Sequence, residues 1–507
     1  MSPGGQSAPM RVLVYVNSAQ RRPRVLRTLG RVSLPEGLVC FVKADCPTCQ
    51  MVQPVLRQLA AGDAPLTVYT QDDPAFPAGT APVDDTLLEV SYGQRIEIVP
   101  TLLRVRDGKP VERLEGWDRR EWERLTSVEG LGDGLPAFRP GCGSRTLDVG
   151  MPEILAMRYD GSRTRSRRIE LGAQEDEVEA MFARGWSDGL PLVPPTAQRV
   201  LRMLEGTSRD PQDVVAVVPP DLVECTVEKV AVNAVMAGCR PDYLPVVLAA
   251  VEAACTEAFN IHGILATTYF VGPVVIVNGP IAQEIGMNSG INALGQGNRA
   301  NATIGRALQL VIRNVGGGRP GEIDRATLGN PGKYTFCFAE AEDTSPWEPL
   351  SVERGLPPGT SAVTLFAGSG VQPFFDQLAR TPEALARSLA ACLRVVGHPK
   401  WGLAWDALCV ISPEHARVFR EAGWSKARLR DELGSILTFP GAEMVKGAGG
   451  IAEGMPESAV GATVAKFRAG GLLFAHAGGT AGLFSAIIAG WVSGPAGTEP
   501  VTQEIRR

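Results

Sequence analysis

GLVCFVKADCPTCQMVQPVLRQLAA, residues 37–61, decides the reading of this chain. Gly37 to Lys43 is an apolar run of the kind that forms a buried strand. It leads into Ala44-Asp45-Cys46-Pro47-Thr48-Cys49, and a helical pattern follows from Gln50 to Ala61. Two cysteines at this spacing can close into a disulfide across one helical turn. At a helix N-terminus the first thiol meets unpaired N–H groups and the positive end of the dipole. Both favour thiolate, so Cys46 is expected to be the more acidic and the more exposed sulfur. Further on, Ile98-Val99-Pro100-Thr101-Leu102 opens a second hairpin-like stretch. The arrangement predicts redox chemistry.

Outward from this stretch, residues 11–128 read as one α/β unit. A first strand and a helix over Arg24 to Leu29 precede the strand, CPTC and helix. A strand over Leu66 to Thr70, a Pro-rich loop and a helix over Asp84 to Tyr92 follow. A strand pair around Asp107-Gly108, a good hairpin signal, and a helix over Asp118 to Leu125 complete the order. This order, with CPTC and Val99-Pro100-Thr101, resembles the thioredoxin family over roughly the first quarter of the chain. The resemblance implies a thioredoxin-like domain in which Cys46 attacks, Cys49 resolves and Pro100 is a cis-proline facing them. Three departures stand out. The inner pair is Pro-Thr, no tryptophan precedes Cys46, and Cys40 stands where ordinary thioredoxins keep a buried aspartate. Asp45 is the candidate substitute as proton acceptor, and the departures suit a dithiol dedicated to one partner.

Residues 129–143 (EGLGDGLPAFRPGCG) carry a Gly/Pro-rich linker signature. The segment Ser144 to Ser166 reads as short and strand-like. Residues 144–507 read as a larger α/β domain, of one lobe or two, that alternates helices with apolar strands. Helices are expected over Glu175 to Gly185, Thr226 to Ala237, Asp242 to Ala258, Ala300 to Asn314, Pro382 to Val395 and Pro413 to Ala422. Strands are expected over Val274 to Val277, Ala362 to Phe366, Ala407 to Ile411 and Leu472 to Ala475. GWSDGLPLVPPT, VMAGCRPDYLPVVLAAVEA, LGNPGKYTFCFAE, SPEHARVFREAGWSK and HAGGTAG resemble an uncharacterised family associated with UGSC-type (seleno)proteins. Cys142-Gly143-Ser144 is similar to its name-giving motif, with Arg145 in place of a final cysteine. This second resemblance implies no particular activity.

The 507 residues, 44% hydrophobic and 21% charged, have the composition of a soluble globular protein of two or three domains. A formal net charge of -5 without a basic block argues against a nucleic-acid partner. The N-terminal residues do not read as a secretory signal. Ten cysteines thinly spread fit a reducing cytosol, so a cytoplasmic location is expected. Ala469 to Thr498 carries no Lys or Arg and is glycine-rich; it reads as a buried strand-loop-helix and not as a membrane span.

Three apolar strands of the larger part run into loops suited to ligands: VVIV into Asn278-Gly279-Pro280, ALCVI into Ser412-Pro413-Glu414-His415, and LLFA into His476-Ala477-Gly478-Gly479-Thr480. If the strands are neighbours, His415 and His476 converge on one crevice. Ser412 is placed as N-cap and Pro413 as the first helical residue. Loops containing Asn288, Asn298, Arg299 and Asn301 precede a helix and offer donors for an anion, with Lys333 as a further donor and Gly478, Gly479 and Thr480 beside His476. Against this, asparagines in long loops also serve the loop itself. Cys239, next to Arg240 and a helix start, sits in a setting that lowers a thiol pKa; a small buried hydrophobe is the equal alternative. No metal-ligand spacing is present, so no metal or other cofactor is expected beyond the Cys46/Cys49 dithiol.

The leading expectation is a thiol-dependent enzyme. The CPTC module exchanges electrons with a larger domain that acts on a small, anionic or sulfur-containing metabolite by reductive or C–S bond chemistry. Cys239 is the candidate partner of Cys46, and an external thiol is the reductant. One alternative is a non-redox lyase or hydrolase built on His415 or His476, with the small module as a docking element. The other is a thiol-dependent binding or assembly protein without turnover. The sequence leaves the oligomeric state open, a homo-oligomer included.

Overall fold

Gly37–Val42 is buried because it has a neighbour on each side: Leu66–Thr70 pairs with it in parallel and Thr101–Arg106 antiparallel. Val83–Asp84 and Lys109–Glu115 flank these, giving a five-stranded mixed sheet with Gly37–Val42 at its centre. The computed structural model describes residues 13–16, 33–149, 151–159, 164–172, 174–492 and 497–507. The helix expected over Arg24 to Leu29 lies outside them. The Asp107-Gly108 hairpin forms as expected, both residues taking positive φ (51° and 69°), as a tight two-residue turn requires. Asp118 caps the helix Arg119–Thr126, its side chain accepting the Glu121 N–H at 3.2 Å.

The contacts divide the chain into two units, a smaller one within residues 19–163 and a larger one formed by the first residues with those from 164 onward. Two expectations about boundaries change. Leu13–Val16 pairs antiparallel with Arg167–Glu170 and belongs to the larger unit, so the segment 11–128 is not the smaller unit's extent. Residues 129–143 are no linker. Phe138–Arg139 pairs with Trp117–Asp118, and Cys142–Gly143 pairs with Ile98–Val99. The glycines there mark tight turns and close approaches, not detachment: Gly132 has φ 64°, and a Cβ on Gly141 would lie 2.3 Å from Ile98 Cγ2. Likewise, Ser144 to Ser166 is not a strand over most of its length. Met151–Tyr159 is a helix on the same unit, with Tyr159 Oη donating to the Leu87 carbonyl at 2.8 Å.

The larger unit is built on a seven-stranded mixed sheet. Its order runs Cys337–Ala339, Gly272–Asn278, Ala362–Phe375, Phe484–Gly490, Ala407–Ile411, Leu472–His476, with Val501–Glu504 also paired to Ala362–Phe375. The sheet curls until its first and last strands meet, where the Ala341 N–H donates to the His476 carbonyl at 2.7 Å. Val227–Ala237 and Leu244–Ala254 are Ala/Val-rich and buried on nearly all sides, so they pack as inner helices beside Arg299–Asn314. The stretch Ala469 to Thr498 is corrected from strand-loop-helix to two strands: Phe484–Gly490 lies between two neighbours and is apolar on both faces, a pattern that periodicity cannot tell from a buried helix. The protein is thus an α/β fold in both units. Among the described residues no helix is long and apolar enough to cross a membrane.

Candidate functional site

Cys46 occupies the N-cap of the helix Pro47–Met51, which begins where the central strand of the smaller sheet ends. Its Sγ accepts the Cys49 N–H at 3.3 Å and lies 3.5 Å from the Val99 carbonyl oxygen, at the cis Val99–Pro100 peptide. A hydrogen bond from the Cys49 thiol, set against burial, and further bonds from the Cys142 thiol and from the backbone N–H groups of Cys49 and Thr48 bring the Cys46 thiol down to about 5. Burial, reinforced by the neighbouring Cys46 charge, pushes the Cys49 thiol far up. One sulfur is therefore held as thiolate and the other as thiol. The helix has five residues, so these local donors rather than a long helix dipole set the balance.

The expected exposure of Cys46 is not found. Both Cys46 and Cys49 are 0% exposed. Residues 138–143 lie against them: Thr48 Oγ1 donates to the Pro140 carbonyl at 2.8 Å, and Cys142 pairs in register with Val99. Cys40 is buried with its thiol pushed up by that burial, so it is no proton acceptor. Asp45 points its carboxylate at Lys43 Nζ, 3.1 Å away, and is largely exposed.

In the larger unit the expected residues separate into structural and cavity-facing groups. Asn298 caps the helix Arg299–Asn314, accepting the Asn301 N–H at 3.0 Å. Asn301 is buried and spends its side chain on Asn288 N–H, Asn288 carbonyl and Ala293 carbonyl; Asn288 bonds Gly290 N–H and the Ile291 carbonyl. Arg299 Nε donates to the Gly238 carbonyl at 2.9 Å, and Lys333 is paired with Asp324 at 2.7 Å. These side chains hold the loops together. Cys239 is buried, donates to the Thr303 carbonyl at 3.3 Å, and is pushed up to about 12 by burial despite Arg299 and Arg306 nearby. The expected lowering is overruled by desolvation.

Ala407–Ile411 and Leu472–His476 are parallel neighbours, Ile411 opposite His476; Gly272–Asn278 is separated from Ala407–Ile411 by two strands and, across the curl, from Leu472–His476 by Cys337–Ala339 alone. The histidines nonetheless meet different surroundings. His476 is buried with Nε2 3.3 Å from Thr344 Oγ1, and its backbone N–H donates to Glu340 Oε1 at 3.1 Å. Glu340 is itself buried, 3.8 Å from Lys426 Nζ and 2.7 Å from Asn278 Nδ2, and so contributes a buried ion pair. His415 has its Nδ1 2.7 Å from Ser485 Oγ and its Nε2 3.1 Å from the Asp376 carbonyl. A carbonyl only accepts, so Nε2 carries the proton and Nδ1 accepts from the Ser485 hydroxyl. The Ser412 Oγ alternative at 3.5 Å is too long to compete. Burial lowers the pKa of both histidines, keeping them neutral.

Ser485 opens onto a cavity of about 460 Å³ lined also by Ser412, Asn292, Gly478, Gly479 and Phe484. Gly478 already donates its N–H to the Ser289 carbonyl at 2.9 Å, and Thr480 is exposed beside the cavity. Comparison with family models, with curated proteins and with solved structures gave no match. Two residues escaped the sequence reading. Ser485 sits in the unrecognised strand Phe484–Gly490. Cys142 is named in the sequence only within Cys142-Gly143-Ser144, in a stretch that reads as a linker, and nothing local places it beside Cys46.

Proposed function

We propose that the smaller unit is a thioredoxin-like thiol–disulfide exchange module with Cys46 as nucleophile and Cys49 as resolving thiol. The observation that carries this reading is the Cys46 sulfur at a helix N-cap, hydrogen-bonded by Cys49 through both its N–H and its thiol. The Cys46 thiolate attacks one sulfur of a disulfide; a Cys46 mixed disulfide forms and the other half leaves as thiolate, which takes up a proton. Bonding at Cys46 removes the negative charge that helps hold the Cys49 thiol protonated. Cys49 then loses its proton and attacks Cys46, which releases the second half and leaves a Cys46–Cys49 disulfide. Two electrons pass from the dithiol to the target, and an external thiol reductant restores the pair. Reduction of bis(2-hydroxyethyl) disulfide by the intact protein, cycled with dithiothreitol, tests this. Cys46→Ser should abolish catalysis over the uncatalysed rate; a variant as active as the parent sinks the reading.

The small, anionic or sulfur-containing metabolite and the C–S chemistry remain part of the proposal only as the class of target. Cys225, Cys239, Cys255, Cys337, Cys392 and Cys409 of the larger unit are all raised by burial, which disfavours a reactive partner thiol there. A specific observation favours a second activity in that unit: neutral His415 accepts from the hydroxyl of Ser485 at the wall of a cavity, the arrangement of a base and its nucleophile. This suits hydrolysis or acyl transfer on a small carbonyl compound. A fluorophosphonate probe should label Ser485, with His415→Gln slowing the labelling. Labelling that persists in Ser485→Ala, or none in the parent, removes this second reading.

A further inference from the structure

The strand that covers the dithiol is placed as an extended peptide is when it joins a sheet edge. Phe138–Arg139 pairs antiparallel with Trp117–Asp118, and Cys142–Gly143 pairs antiparallel with Ile98–Val99. Between them, Thr48 beside the two cysteines donates to the Pro140 carbonyl. Gly141 is packed so closely that a Cβ would lie 2.8 Å from the Val99 carbonyl oxygen and 3.3 Å from Gly116 Cα. Beyond Cys142, Ser144 donates its N–H to the Glu97 carbonyl at 2.8 Å and shares a buried bond with Gln71 Nε2, and Thr146 Oγ1 donates to the Ile96 carbonyl. Seated in this way, Cys142 lies opposite Val99, whose carbonyl oxygen is 3.5 Å from Cys46 Sγ, so its thiol is beside the Cys46 sulfur. Cys142 is half-buried, whereas Cys46 and Cys49 are fully covered.

We propose that Cys142 is the resident exchange partner of Cys46: the strand 138–143 lies where a disulfide target would lie, and electrons pass between Cys49, Cys46 and Cys142 through a Cys46–Cys142 disulfide. The inference rests on the exchange reading and names its first partner. The steps balance with a low-molecular-weight disulfide, RSSR, as oxidant. Cys142 attacks RSSR, its proton passing to the departing RS⁻ as RSH, and a Cys142–S–S–R bond forms. Cys46, already thiolate, attacks the Cys142 sulfur and expels a second RS⁻. That thiolate takes the Cys49 proton. Cys49 then attacks Cys46, which forms Cys46–S–S–Cys49 and frees Cys142 as thiolate, to be protonated by solvent. RSSR gains two electrons, and the Cys46/Cys49 pair loses two. The half-buried thiol thus meets the external disulfide, and the covered pair stores the oxidation.

The full-length Cys49→Ser variant, treated with oxidised glutathione and mapped by mass spectrometry without reduction, tests this. The expected product is a peptide pair joined by Cys46–Cys142, formed at a rate independent of protein concentration. A stable glutathione adduct on either cysteine, with the other thiol free, overturns the inference and leaves the exchange reading standing. No reaction at either cysteine overturns both. The parent chain gives a second arm that needs no Cys49 substitution: Cys142→Ser should slow formation of the Cys46–Cys49 disulfide by oxidised glutathione about tenfold or more, because a held partner acts at high effective concentration. An unchanged or faster rate overturns the inference.

Discussion

Replacing Cys142 with alanine removes one donor to the Cys46 sulfur while the Cys49 thiol and the backbone N–H groups of Cys49 and Thr48 stay in place. A hydrogen bond to a charged group contributes about 1.5–3 kcal/mol, and a thiol, as a weak donor, belongs at the lower end. One pK unit corresponds to about 1.4 kcal/mol. The Cys46 midpoint is therefore predicted to rise from about 5 to about 6. The rate at neutral pH is a poor reporter, because Cys46 is mostly thiolate in both proteins there. A thiolate of higher pKa is also the better nucleophile, which further blurs single-pH rates. The shape of the pH profile carries the information. Iodoacetamide modification of the reduced proteins, with the Cys46 peptide quantified by mass spectrometry across acid and neutral pH, gives each midpoint separately from its plateau rate. Loosening of the covering strand changes the plateau and leaves the midpoint free to report the lost donor. A midpoint unchanged in Cys142→Ala would refute the claim that this thiol helps hold the charge.

Three further outcomes follow from the same geometry. Because Cys46 is held at about 5 in the fold against an ordinary 9.0, the folded state binds fewer protons between those values; stability should rise with pH across that window, by at most about 1.4 kcal/mol per unit, fall away as pH drops through about 5, and lose this slope in Cys46→Ser, as read by urea unfolding. Gly141→Ala places a Cβ against Ile98 and the Val99 carbonyl, so the covering strand should be unseated and Cys46 alkylation at neutral pH should quicken; an unchanged rate would mean that the strand does not control access. Lys426→Met leaves the buried Glu340 without its cation and should cost about 3–5 kcal/mol in the larger unit by chemical denaturation, whereas the loss of a surface pair costs under about 1 kcal/mol.

Much of the fold is legible in local pattern. Leu66–Thr70 and Ala407–Ile411 form as expected, and Val227–Ala237 differs by one residue, because apolar runs with clear caps or turns define them. The dithiol is legible too, since both its cysteines and the helix that presents them are contiguous. What pairs with them is not. Cys142 reaches Cys46 only through the antiparallel pairing with Ile98–Val99, a contact across the chain that Gly/Pro composition conceals. Asn298 and Asn301 look alike as ligands or as loop braces until their partners are known, and both turn inward. His415 is held between Ser485 and the Asp376 carbonyl, and Ser485 is brought to it by a strand with no alternation to announce it. Cys239 shows the reverse failure: arginine neighbours suggest activation, and complete burial outweighs them.

The central claim is that Cys46 is the thiolate of an exchange dithiol. Titration of the reduced parent protein by the ultraviolet absorbance of thiolate, against Cys46→Ser, tests it most directly. The reduced parent should show a single-thiol transition with a midpoint of about 5 that is absent from Cys46→Ser. A parent protein without that transition, its thiols ionising only near the ordinary 9.0 or above, would contradict it.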